Sequence, residues 1–141
     1  MTLPMLSSMS IKLLRVLVAD DNDDMRSRVT ETLQAHGCVT LEARNGEEVL
    51  DLLVVALDDP VLRPDVIVAE VRMPRLSGLG VLAALRRANC TVPVIMTTIV
   101  SDDSIHTVAK RNGAVRVLNK PFDLRDLLVA VQDATTARLG W

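Results

Sequence analysis

Apolar runs alternate along this chain with stretches in which apolar positions recur every three or four residues. Leu13 to Ala19 is apolar apart from Arg15 and predicts a buried strand. Asp20-Asp21-Asn22-Asp23-Asp24 ends it. Asn22 or Asp23 caps the next helix, because a short polar side chain accepts the free N–H groups of a first turn. That helix carries Met25, Val29, Leu33 and His36 at helical spacing, and Gly37 stops it. Cys38 to Ala43 predicts a short second strand. Asn45-Gly46 turns the chain into a helix from Glu47 to about Leu57, with Val49, Leu50, Leu53, Val54 and Leu57 on its apolar face. Asp58-Asp59-Pro60 breaks that helix.

The central strand is Val66 to Ala69, which ends in a single carboxylate, Glu70. Met73-Pro74 and Gly78 then force a loop. Leu79 to Ala88 predicts a helix with Leu82 and Leu85 inward. Val92 to Thr97 is a fourth strand opened by Pro93. Ser101 or Asp102 caps a helix to about Asn112, with Gly113 its stop. Val115 to Leu118 is a short fifth strand, ended by Lys120-Pro121-Phe122. Asp123, with Asp126 three residues on, opens a last helix whose apolar positions are Leu124, Leu127, Leu128 and Val131. Strand and helix thus alternate five times, which implies an α/β fold: a parallel sheet, right-handed crossovers, and helices on both faces.

Composition narrows this picture. One domain suits 141 residues, read as residues 11–138 between tails at 1–10 and 139–141. Only Phe122 and Trp141 are aromatic, so the core is aliphatic. A net charge of −2 with no basic run argues against a nucleic-acid surface in this chain, and no apolar run is long enough for a membrane span. Residues 1–10 lack the charged start and apolar centre of a signal peptide. Cys38 and Cys90 read as free thiols in a reducing cytoplasm.

Positions just past the strands of such a sheet converge on one edge, where open α/β sheets bind their ligands. Here they are Asp20, Asp21, Glu70, Thr98 and Lys120. Carboxylates gathered together repel unless a cation sits among them, and oxygen donors suit Mg²⁺. The Thr98 hydroxyl and Lys120 ammonium would bind remaining phosphoryl oxygens. Thr97 takes the place of Thr98 if the register is off by one.

The chain resembles the receiver domains of bacterial two-component response regulators over roughly residues 13–134. The resemblance rests on Val18-Ala19-Asp20-Asp21-Asn22, on Val71-Arg72-Met73-Pro74 with Gly78, on Pro93-Val94-Ile95-Met96-Thr97-Thr98, and on Asn119-Lys120-Pro121-Phe122. It implies a doubly wound, flavodoxin-like sheet of order 2-1-3-4-5. It also implies Mg²⁺ held by Asp20, Asp21, Glu70 and the backbone carbonyl of Arg72, a switch hydroxyl at Thr98, an invariant lysine at Lys120 and a cis-type proline after it. The partners implied are a sensor histidine kinase or phosphotransfer protein, and a downstream protein met by the last two helices and fifth strand. A homodimer is left open.

Three departures from the family stand out. Its phosphoacceptor is an aspartate, and this chain has Glu70, one methylene longer by about 1.5 Å. The aromatic residue often found shortly before the lysine is absent from Val115-Arg116-Val117-Leu118. The stretch 47–64 is longer than usual by about one or two turns. These departures leave two versions of a non-enzymatic signalling role: a receiver fixed in a partial-on state or no longer switching, or a docking module without phosphochemistry. A remote third reading, a haloacid-dehalogenase-like phosphatase, rests on Asp21-Asn22-Asp23 alone. His36 and His106 lack metal-spaced partners. Gly78-Leu79-Gly80 does not directly follow a strand, so it is a poor dinucleotide fingerprint.

Overall fold

The computed structural model describes residues 11, 13–99 and 102–136. The two expected tails, Trp141 and Ser101 as a cap lie outside these residues. The elements are β1 (Arg15–Ala19), α1 (Asp23–Ala35), β2 (Val39–Ala43), α2 (Gly46–Asp58), a 3₁₀ turn (Pro60–Leu62), β3 (Val66–Glu70), α3 (Gly78–Arg87), β4 (Val94–Thr98), α4 (Asp103–Arg111), β5 (Arg116–Asn119) and α5 (Leu124–Thr136). The five strands are parallel in the order β2-β1-β3-β4-β5, as the resemblance implies.

Alternation along each strand divides the core in two. Val16 and Val18 of β1, Val66 and Val68 of β3 and Ile95 of β4 face Val29 and Leu33 of α1 and Leu127 and Val131 of α5. Leu17, Ile67, Ala69, Val94 and Met96 face the other way, onto Val49 and Leu53 of α2 and Leu82 and Leu85 of α3. Both faces of β1, β3 and β4 are therefore covered, which is why these strands read as continuous apolar runs.

The helix starts follow the chemistry expected of them. The side chains of Asn22, Asn45, Ser77 and Asp102 each accept a hydrogen bond from a backbone N–H in the first turn of α1, α2, α3 and α4. Strand edges differ from expectation by one or two residues. Leu13 is exposed, with a positive φ of 67°, so β1 begins at Arg15. Val115 is half exposed and precedes β5, and β4 starts two residues later than expected and ends one later, to include Thr98.

The apolar face of α2 needs a larger correction. Val49, Leu53 and Ala56 are buried, whereas Val54 is 62% and Leu57 60% exposed. At 100° per residue, Leu57 and Val54 lie about 80° and 140° around the helix from Val49, beyond what the sheet covers. They edge a groove of about 400 Å³ between α2 and α3, lined also by Leu50, Leu85 and Cys90.

The long stretch after α2 is a cap. Asp59 starts the 3₁₀ turn, accepting from Val61 N–H. Arg63 then folds back and donates to the carbonyls of Ala56 (2.9 Å) and Leu57 (2.8 Å) at the end of α2. Arg15 donates in turn to the carbonyls of Pro60 (3.4 Å) and Arg63 (3.0 Å), tying the turn to the start of β1.

Candidate functional site

The same alternation that builds the core aims the chemistry. Asp20 continues the α1/α5 face of Val18, Glu70 that of Val68, and Thr97 that of Ile95. Lys120 follows β5 two residues after Leu118, which belongs to the same face. Four polar side chains from four adjacent strands thus meet at the carboxyl edge. Asp20, Glu70 and Thr97 are buried there.

Lys120 stands at the centre. Its Nζ lies 2.7 Å from Asp20 Oδ2 and 2.8 Å from Glu70 Oε2. Its backbone is fixed by a hydrogen bond from its N–H to the Thr98 carbonyl (2.7 Å), and the Lys120–Pro121 peptide is cis. Glu70 Oε2 also accepts from the Thr97 hydroxyl at 3.1 Å. Both donors therefore hold one oxygen, Oε2. Burial alone would lower the Lys120 ammonium; hydrogen bonds and charge from Asp20 and Glu70 outweigh it and hold its pKa above the ordinary value. Burial pushes the Glu70 carboxyl above its usual range, against the opposing pull of Lys120 and Thr97 and with the added push of Asp20.

Asp20 is held from its backbone as well as its carboxylate. Its Oδ1 accepts from Asn22 N–H (2.9 Å), its N–H donates to the Ala43 carbonyl (3.1 Å), and its carbonyl accepts from Arg26 Nη1 (2.7 Å). Arg26 also pairs with Asp23 (2.6 Å) and Glu42 (3.0 Å), so one nearly buried guanidinium joins the β1–α1 loop to β2. Behind Glu70 the chain is wedged. Gly78 N–H donates to the Val71 carbonyl and Gly46 N–H to the Leu76 carbonyl. A Cβ at Gly78 would collide with the Glu70 carbonyl oxygen, and one at Gly46 with that of Leu76. Beside Lys120 opens a cleft of about 430 Å³, whose lining includes Met25, Arg28, Phe122 and Leu124.

The structure thus gathers Asp20, Glu70 and Lys120. Thr98 is fully buried next to Thr97, and alternation assigns it to the face of Met96; the hydroxyl on Glu70 is that of Thr97. Asp21 and Arg72 are exposed. Oxygen donors of this kind suit Mg²⁺ in type. Their arrangement does not fit it: among the described residues no three His, Cys, Asp or Glu side chains are grouped to hold a metal ion, and the two close carboxylates share the Lys120 ammonium instead. The Arg26 clamp escaped sequence reasoning because it acts on a backbone carbonyl, which leaves no residue pattern.

Residues 16–132 match the family model described as the response regulator receiver domain. The chain is 36% identical over 118 residues to the response regulator MprA of Mycolicibacterium vanbaalenii, covering 84% of this chain and 48% of that protein. It is 33% identical over 127 residues to the transcriptional regulatory protein CpxR of Escherichia coli, covering 90% and 51%. The chain spans about half of these relatives or less, and 25% of the regulatory protein AtoC of Escherichia coli. Among solved structures, the receiver domain of the Francisella response regulator 1452 superposes with a TM-score of 0.81 at 28% identity, covering 88% of this chain and 98% of that one. The receiver domain of the putative response regulator NarL from Mycobacterium tuberculosis gives 0.79 at 29% identity, covering 90% and 99%. With its fold and these matches in agreement, the chain belongs to the response regulator receiver domain family.

Proposed function

We propose that this receiver carries Glu70 where its family carries the phosphoacceptor aspartate, and that it signals without phosphotransfer at that position. The observation that carries this reading is the buried contact of Lys120 with Glu70 and Asp20. The longer glutamate side chain brings a carboxylate oxygen onto the lysine, where a phosphoryl oxygen would otherwise sit. The mimicry is partial, because a carboxylate has one charge and two oxygens against a phosphoryl group's near two charges and three oxygens. Receiver domains generally act as non-enzymatic signalling modules, bind Mg²⁺ and engage histidine kinases and effectors. In this chain a downstream protein would meet α4, β5 and α5, where Val108 and Val115 are exposed. No described helix is long and apolar enough to cross a membrane, and a cytoplasmic setting accords with the reading.

The test is intact mass after incubation with an acyl phosphate and Mg²⁺, with and without chelator. The wild-type chain is expected to gain no phosphoryl group, while Glu70→Asp gains one. A Mg²⁺-dependent gain on wild-type Glu70 would overturn the reading. Failure of Glu70→Asp to label would instead favour the docking module, whose partner affinity responds to neither Mg²⁺ nor phosphodonor.

A further inference from the structure

The Thr97 hydroxyl is held against Glu70, and it sits inside an apolar run where a hydroxyl is costly to bury without a partner. The sheet explains why it can serve. Glu70 and Thr97 are directly paired across β3 and β4, so their side chains leave the sheet on the same face. A β-branched side chain has few χ1 states to lose, so its hydroxyl is aimed at little entropic cost. Its bond to Glu70 Oε2 is 3.1 Å, and Lys120 binds that same oxygen from the β5 side.

We propose that Thr97 is the positioning residue that fits a glutamate to this site. Its hydroxyl turns the longer carboxylate sideways onto Lys120, so that Glu70 and Thr97 work as a pair. The proposal rests on the reading that Glu70 is the acceptor-position carboxylate. The pairing depends on length. An aspartate withdraws its carboxylate by about 1.5 Å. That takes it out of hydrogen-bonding reach of Thr97, since contacts beyond about 3.5 Å are not hydrogen bonds.

The experiment is a mutant cycle on the full chain, read by urea unfolding and by the NMR signal of the Lys120 ammonium at low temperature. Thr97→Ala is expected to lower the folding equilibrium constant about tenfold more than Thr97→Ser, as the hydroxyl donates to a charged acceptor. In the Glu70→Asp background the two Thr97 variants are expected to differ by less than about twofold. The protected ammonium signal should weaken and shift in Thr97→Ala and stay as in the wild type in Thr97→Ser, the Asp20 contact remaining in both. Equal differences in both backgrounds, or an ammonium signal indifferent to Thr97, would make Thr97 a packing residue and overturn the proposal. Phosphoryl labelling of wild-type Glu70 would overturn signalling without phosphotransfer and leave this coupling measurable, so the two failures are distinct.

Discussion

Lys120 Nζ, at the end of β5, lies 2.8 Å from Glu70 Oε2 at the end of β3, with the Asp20 carboxylate 2.7 Å away on the other side. The Glu70 side chain thus ends on the lysine, and one ammonium serves two buried carboxylates. The site is closed by a cation belonging to the chain itself.

Removing that cation should be costly. Lys120→Met leaves two buried carboxylates facing each other, and breaking such a pair typically costs about 3 to 5 kcal/mol. Adding Glu70→Gln should restore part of the loss, because one of the stranded charges is then gone. Urea unfolding of the single and double variants measures this, and additive losses would show that Lys120 and Glu70 do not interact.

Mg²⁺ should act differently on two versions of the chain. A ligand stabilises only as far as it binds the folded state, so the wild type should shift by less than about 1 °C at about 10 mM Mg²⁺. Glu70→Asp draws its carboxylate back from Lys120 and should gain a larger shift, reversed by chelator. Thermal melts with and without Mg²⁺ decide it, and equal shifts would show that Lys120 does not stand in for the metal.

Alkaline pH should weaken the fold in two steps. Burial, aided by Asp65, pushes the Cys38 thiol up to about 11. Despite burial, Asp20 and Glu70 hold the Lys120 ammonium above its ordinary value. Both groups keep protons in the folded state that the unfolded chain has lost, so stability falls as pH rises. The Cys38 contribution is lost from about pH 8.5 upward and that of Lys120 from about 10.4 upward, their unfolded values. Cys38→Ala should therefore flatten the decline between about pH 8 and 10 and leave the later one. An unchanged urea-midpoint profile would remove Cys38 from the account.

Arg63 supplies the clearest local test. Its two hydrogen bonds to the carbonyls of Ala56 and Leu57 close the end of α2. Arg63→Ala should cost about 1 to 2 kcal/mol, from two bonds of about 1 kcal/mol each less what water replaces. Hydrogen exchange should quicken at the last turn of α2 and not in α1. Uniform quickening would mean the cap matters only through global stability.

Much of this architecture was legible because period and punctuation agreed. Asn22, Asn45-Gly46 and Gly113 marked helix ends in the sequence, and the helices end there. Asp20, Glu70 and Lys120 could be brought together on paper because all three follow strands of one parallel sheet. Val54 and Leu57 misled because apolar spacing reports a helix without reporting how much of it neighbours cover. Which of Thr97 and Thr98 faces Glu70 depended on a single residue of register, and only the paired strands fix that. Arg15 and Arg63 gave no warning of their capping role, since both act on backbone carbonyls, which leave no residue pattern.

The two glycine contacts behind Glu70 decide where a disturbance can travel. With Gly78 seated on the Glu70 carbonyl and Gly46 on that of Leu76, the polypeptide downstream of the glutamate has no room to shift. The contacts of the carboxylate itself run laterally, from side chain to side chain across the sheet, to Thr97 of β4 and to Lys120 beyond β5. The site is thus tied along the rows of the sheet rather than along its chain, reaching the edge strand farthest from β2.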